Sequence, residues 1–208
     1  MKEVKLNPSL VARMKKLYEE MEASYDNVAI QLEFSCRGCP DNCCDSYFLH
    51  HTYAEWGVLW AGFRQLPEEK QHDILERANN YMKGCREAGL KGERPRMMCP
   101  LNEDGLCILY TYRLMVCRTH GVPASMTRPD GQRLTFPGCY YCQKIVDSRY
   151  SDGEEPPRME RTGLLRELVM IENDLFAGKR HLYPKVKLTI AEMLLKGAPT
   201  IATPHCER

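Results

Sequence analysis

The sequence predicts a mainly α-helical protein, α+β at most: a single metal-centred domain of irregular cysteine-rich loops and minor β-hairpins, flanked by helices. Three observations predict this. Apolar residues recur at spacings of three and four from Leu10 to Leu32 and again in later stretches. Nine of the 11 cysteines fall outside that periodicity, in the groups 36/39/43/44, 99/107/117 and 139/142. Turn-forming residues at Asn102–Gly105 and Arg128–Gly131 interrupt short segments that read as hairpins.

Taken in order, Asn7-Pro8 is a helix start, with asparagine as N-cap and proline at the first helical position. Leu10, Met14, Leu17, Met21, Tyr25, Val28 and Leu32 then form one stripe on a helix over residues 8 to 32, packed on the domain's own core or, alternatively, in a coiled coil. That helix leads to Cys36-Arg-Gly-Cys39-Pro-Asp-Asn-Cys43-Cys44. In a CxxC knuckle two sulfurs converge on one ion, and Gly38 and Pro40 suit the corner. Disulfides or buried thiols are the plainer alternative.

Ser46 to His51 reads as a short extended piece. The capping box Thr52-Tyr-Ala-Glu55 starts a helix to about Gln65, whose face of Trp56, Leu59, Trp60 and Phe63 suits a core better than a cofactor. Pro67 opens another helix, ending near Gly89, with Ile74, Leu75, Ala78, Tyr81, Met82 and Cys85 inward; Cys85 is thus a packed thiol. Cys99 and Cys107 sit at the ends of a small hairpin, and Tyr110 to Cys117 is a short helix or helical turn. The Arg128–Gly131 turn leads to a second CxxC, Cys139-Tyr-Tyr-Cys142, outside any evident βαβ pattern and so more suited to ligation than to thioredoxin-like exchange. After the linker Ser151–Pro157, Leu164 to Ala177 and a capping box at Thr189–Glu192 mark two further helices. The expected segments are an N-terminal helix packing on the core (1–33), a cysteine-cluster domain (34–148) and a helical extension (158–208).

Composition narrows the function. With 29 basic against 28 acidic residues the net charge is +1, which gives no field for nucleic acid or an anionic membrane. No run approaches the length of a membrane span and no apolar leader stands at the start, so a cytoplasmic protein is expected. In a reducing compartment clustered thiols are metal ligands or redox groups more often than disulfides, and 11 thiols cannot all pair within one chain. Zinc and iron–sulfur clusters both take about four thiolates, so the cofactor is zinc or a [4Fe–4S] cluster, in one site or two. His50, His51 and His120 are secondary candidates, and the participation of Cys142 is left open by the sequence. The partner is a metal ion; no protein partner is readable.

The succession CxxCxxxCC, then Cys99-Pro-Leu, then Gly105-Leu-Cys107-Ile-Leu-Tyr110-Thr-Tyr-Arg113-Leu-Met-Val-Cys117-Arg118, then a later cysteine, resembles the YkgJ-type cysteine-cluster family, which is described as zinc- or iron-chelating. The resemblance covers residues 33 to 145. It implies metal ligation by Cys36, Cys39, Cys43, Cys44, Cys99, Cys107, Cys117 and Cys139, with Tyr110, Arg113 and Arg118 as the tyrosine–arginine signature beside a bound cofactor. The chain departs from the family pattern in carrying three residues, Pro40, Asp41 and Asn42, before the adjacent cysteines, and Leu114 where proline is usual. A flagellin lysine methylase is similar in carrying such a region, associated with an iron–sulfur centre. That keeps open an iron–sulfur-dependent protein-modifying enzyme, with metal trafficking as a third reading. Against an enzyme, the chain has no glycine-rich nucleotide loop and no evident carboxylate pair.

Overall fold

The computed structural model describes residues 2–37, 39, 43–151 and 153–202. The expectations placed on Gly38, Pro40, Asp41, Asn42 and Cys206 lie outside these residues. Among the described residues there are seven α-helices and only short strands, a mainly helical protein with minor sheets.

Helix α1 (Pro8–Gln31) starts as expected: the Asn7 side-chain oxygen accepts the Leu10 N–H at 2.9 Å. Of its apolar stripe, Leu10, Met14, Leu17, Met21, Val28 and Leu32 are buried, while Tyr25 is half-buried. Full burial of each such side chain contributes about 1.5–3 kcal/mol, far more than helix propensity could. Helix α2 (Tyr53–Phe63) is capped by the Thr52 hydroxyl, which accepts the Glu55 N–H at 3.2 Å. It stops two residues short of the expected end. Helix α3 (Glu68–Leu90) buries Ile74, Ala78 and Tyr81 and leaves Cys85 half-buried against that cluster. The segment Ser46–His51 forms no strand; His50 makes a single antiparallel bridge to Leu188.

Strands β2 (Asn102–Glu103) and β3 (Leu106–Cys107) form the expected small hairpin. Its corner residues Asp104 and Gly105 have φ of 50° and 87°, the left-handed pair that a two-residue hairpin requires. The helical turn expected over 110–117 is split into a 3-10 turn (Tyr110–Tyr112) and helix α4 (Met115–Thr119). Strands β4 (Ala124–Thr127) and β5 (Arg133–Phe136) pair antiparallel, with Ala124 opposite Phe136. Helix α5 (Tyr140–Arg149) follows, and β6 (Met159–Glu160) then pairs parallel with β4. Helix α6 (Thr162–Leu175) and helix α7 (Ile190–Lys196) complete the helices, and α7 carries the full reciprocal capping box of Thr189 and Glu192. The end strands β1 (Lys2–Glu3) and β7 (Thr200–Ile201) pair antiparallel.

The chain resolves into two compact units, and neither is contiguous. The first comprises Met1–Val11, Cys44–Leu114 and Glu172–Arg208; the second comprises Ala12–Cys43 and Met115–Ile171. These units cut across the segments 1–33, 34–148 and 158–208 that composition marks out. The first has a core of Trp56, Leu59, Phe63, Ile74, Leu101, Leu114 and Met193. In the second, Met14, Leu17, Met21, Val28 and Leu32 of the stripe are buried, as are Val122, Ala124, Val146, Met159, Leu168 and Ile171. No helix of the described residues is long and apolar enough to cross a membrane.

Candidate metal centre

The cysteines divide between the units. Cys36, Cys39, Cys43, Cys117, Cys139 and Cys142 belong to the second; Cys44, Cys85, Cys99 and Cys107 belong to the first, so the boundary falls within the adjacent pair.

In the second unit, the end of α1 delivers the first knuckle. Glu33 takes a left-handed φ of 49°, and the Phe34 N–H reaches back to the Ala29 carbonyl at 2.8 Å, closing the helix. Arg149, at the end of α5, donates to the Leu32 carbonyl at 2.8 Å and pairs with Glu33 at 2.9 Å. A cation is thus placed where the helix dipole is negative. Past this stop the Cys39 N–H donates to the Cys36 carbonyl at 3.1 Å, the turn that a CxxC knuckle needs.

The second arm is the N-terminus of α5. Cys139 is the N-cap in extended conformation, and its sulfur accepts the Cys142 N–H at 3.5 Å. The Cys139 N–H donates to the Gly121 carbonyl at 2.8 Å, which ties this helix start to the loop after α4. Two glycines permit the approach. Gly121 has φ +125°, and a Cβ there would lie 2.6 Å from the Tyr25 hydroxyl; a Cβ on Gly138 would lie 2.8 Å from the Gly121 carbonyl.

The arms meet at sulfur. The Cys43 thiol is close enough to Cys139 for the two to interact, and the Tyr25 hydroxyl lies 3.8 Å from the Cys36 sulfur. That contact with Cys139 is the largest cause of a strongly raised Cys43 pKa; burial and the neighbouring Cys36 and Cys39 add to it. Burial and then Cys36 likewise raise the Tyr25 pKa, and burial, Cys139 and Cys36 push the Cys142 thiol up to about 12. The common cause is negative charge that each ionised sulfur would impose on the next in a partly desolvated place. Tyr25 is the member that sequence reasoning missed as a site residue. It sits on the apolar stripe, where nothing distinguishes it from a core tyrosine.

In the first unit a smaller thiol set is held by backbone. The Cys99 N–H donates to the Cys44 carbonyl at 2.9 Å, the Asn102 N–H donates to the Cys99 carbonyl at 3.0 Å, and Asn102 stands opposite Cys107 in the hairpin. Helix α3 anchors this hairpin through Arg77, which donates to the Asn102 carbonyl at 2.9 Å and pairs with Glu103 at 3.0 Å. Burial chiefly, and then Cys85 and Cys99, raise the Tyr81 pKa.

The other expected participants lie as follows. Arg113 stacks on the Tyr110 ring, 3.5 Å from its centroid, in the first unit. Arg118 is buried in the second unit over the Tyr18 ring at 4.0 Å. The signature residues Tyr110, Arg113 and Arg118 are thus shared between the two units. His50 is buried with neither ring nitrogen hydrogen-bonded, and burial lowers its pKa to about 4; His120 is shifted down by burial and by Arg161. Among the described residues, no three His, Cys, Asp or Glu side chains are placed so that they could hold a metal ion. The thiols of the second unit therefore converge without closing round one point. Neither a family model, a curated protein nor a solved structure matches the chain.

Proposed function

We propose that the protein is a transition-metal-binding protein, and that Cys36, Cys39, Cys43 and Cys139 of the second unit are the ligands of its principal centre. The proximity of these thiols, with Cys139 first and then Cys36 and Cys39 acting to raise the Cys43 pKa, is the observation that carries this reading. Thiols that oppose one another's ionisation are the groups a cation would relieve, since the bound metal replaces the protons and removes the mutual repulsion. The donor set suits either candidate group: zinc takes four thiolates at ~2.3 Å, and a [4Fe–4S] cluster takes four cysteines. Because these thiols are not closed round a point, binding requires the Cys36–Cys39 knuckle and Cys43 to draw in toward Cys139.

In this reading the ion supplies cross-linking within the second unit, joining the end of α1 to the start of α5. Tyr25 serves as a hydroxyl donor beside Cys36, able to soften charge on that sulfur. Cys44, Cys99 and Cys107, held by backbone in the first unit, are a separate thiol set that would need an ion of its own.

The test is elemental analysis, sulfide assay and an absorption spectrum on protein purified without oxygen, together with Cys36→Ser and Cys139→Ser. A brown protein with iron and sulfide assigns the cluster; a colourless one with zinc assigns the ion. Either variant should lose the principal metal. A folded wild-type protein with neither metal, or variants that keep the full complement, would overturn the proposal.

A further inference from the structure

We infer that the first unit binds a small aromatic carboxylate in a cleft walled by the β1–β7 strand pair and by the turn that follows α6. The cleft has a volume of about 400 Å³, in the range of clefts that hold small organic ligands, and the residues lining it all belong to the first unit. Local structure sets its shape. The Val4 N–H donates to the Pro199 carbonyl at 2.8 Å and Lys2 stands opposite Ile201, which fixes one wall. On the other, Ala177 and Gly178 take left-handed φ of 48° and 80°, and the N–H groups of Phe176 and Gly178 close on the Asn173 carbonyl at 3.1 and 2.9 Å. That turn stops the helix and occupies a carbonyl that would otherwise add negative charge at the helix end.

The lining carries two kinds of group. Phe176, Tyr183 and Ile201 give an apolar surface, with the Phe176 and Tyr183 ring centroids 4.7 Å apart. Lys2, Lys5 and Lys179, all exposed, bring three ammonium groups. Glu3 is the one acid among the described residues of the wall, and it is already engaged by Arg64 at 2.8 Å and by Lys5 at 3.8 Å. The charge of the wall is therefore positive, and its single carboxylate is taken up by a guanidinium from the end of α2. Such a wall concentrates anions. A carboxylate carried on an aromatic ring uses both parts of the lining: the ring covers apolar surface beside Phe176 and Tyr183, and the carboxylate accepts from the ammonium groups. An inorganic anion would leave the rings wet, and a neutral ring compound would gain nothing from the positive charge.

No cysteine lines the cleft, so the inference stands apart from the proposed metal centre and is read from ligand binding, not metal content. The test is isothermal titration calorimetry of the full chain with three probes: naphthoate; naphthamide, which keeps the rings and loses the charge; and inorganic phosphate, which keeps charge and loses the rings. Naphthoate should bind saturably, and the other two more weakly by about tenfold, the worth of one charge-assisted contact. Lys2→Gln/Lys179→Gln should weaken naphthoate by a similar factor and leave naphthamide unchanged, while Lys2→Arg/Lys179→Arg should keep naphthoate binding. Both variants change exposed side chains, and an unaltered urea midpoint confirms that each is folded. Absence of naphthoate binding at concentrations on the order of millimolar, naphthamide or phosphate binding as tightly as naphthoate, or a glutamine variant that binds like wild type would each overturn the inference.

Discussion

Replacing Glu172 by glutamine should destabilise the first unit out of proportion to the change in volume. Glu172 is only 5% exposed, and its carboxylate receives three hydrogen bonds. One oxygen accepts the Tyr53 N–H at 3.1 Å and the Arg180 Nε–H at 2.7 Å; the other accepts the Ala54 N–H at 2.9 Å. The carboxylate thus caps the first turn of α2 from a distant part of the chain and satisfies two of its orphan donors. It also pairs with a guanidinium that lies over the Tyr53 and Phe176 rings at 5.1 and 5.5 Å. An amide keeps the shape but presents one oxygen, so at least one backbone N–H must face an NH2 group. Leaving a buried donor unsatisfied costs about 1–3 kcal/mol, and removing one partner of a buried ion pair costs about 3–5 kcal/mol. The Arg180 side chain keeps 20% exposure, which lowers the second figure and leaves an expected loss of about 2–4 kcal/mol.

The assay is built into the helix. The chain's two tryptophans, Trp56 and Trp60, both stand on α2, so their fluorescence in a urea titration reports this element directly. The midpoint for Glu172→Gln should fall well below wild type, with a thermal midpoint lower by roughly 5–15 °C. The double variant Glu172→Leu/Arg180→Met should be less impaired than Glu172→Leu alone, since it leaves no unpaired cation; the missing cap would still cost about 1 kcal/mol. A Glu172→Gln protein within about 0.5 kcal/mol of wild type would refute this account of the network.

Three further outcomes follow from particular contacts. Burial holds the His50 pKa at about 4, below its ordinary value of 6.5, so its contribution is complete above pH 6.5 and is lost as pH falls toward 4. The stability of His50→Leu, measured by urea titration at each pH, should therefore change less over that interval, by up to about 3 kcal/mol; an unchanged slope would remove His50 from the account. Gly62→Ala, normally favourable by up to ~1 kcal/mol in a helix, should instead cost about 1–3 kcal/mol, because the new Cβ would lie 2.4 Å from the Tyr112 ring; denaturant midpoints decide the sign. Thr189→Ala removes the hydroxyl half of the α7 capping box and should cost about 1 kcal/mol by the same measurement, with Thr189→Ser restoring most of it.

Helices α1, α2, α3, α6 and α7 were legible because each carries its own signal. The Leu10–Leu32 stripe, the Asn7 cap and the two capping boxes are local patterns, and a helix forms where a local pattern agrees with a face to bury. The two hairpins were legible from their turn residues. The misses are non-local. The β1–β7 pair and the parallel β4–β6 pair join residues far apart in sequence, and strands of two residues carry no periodicity to read. Helix α5 escaped notice because Cys139-Tyr-Tyr-Cys142 reads as a loop motif, although its first cysteine is the helix cap.

By itself, the sequence determined a mainly helical protein whose reactive groups are thiols gathered in three places. Only the tertiary structure decided which thiols meet. It brought Cys43 within reach of the charge on Cys139 and set Tyr25 beside Cys36, placed Cys44 in a different unit from its neighbour Cys43, and buried Cys142 beneath the motif it belongs to. The reason is that ligand spacing within a knuckle is a property of a few bonds. Convergence of two knuckles, by contrast, is fixed by where α1 stops, where α5 starts, and the two glycines that let their ends approach.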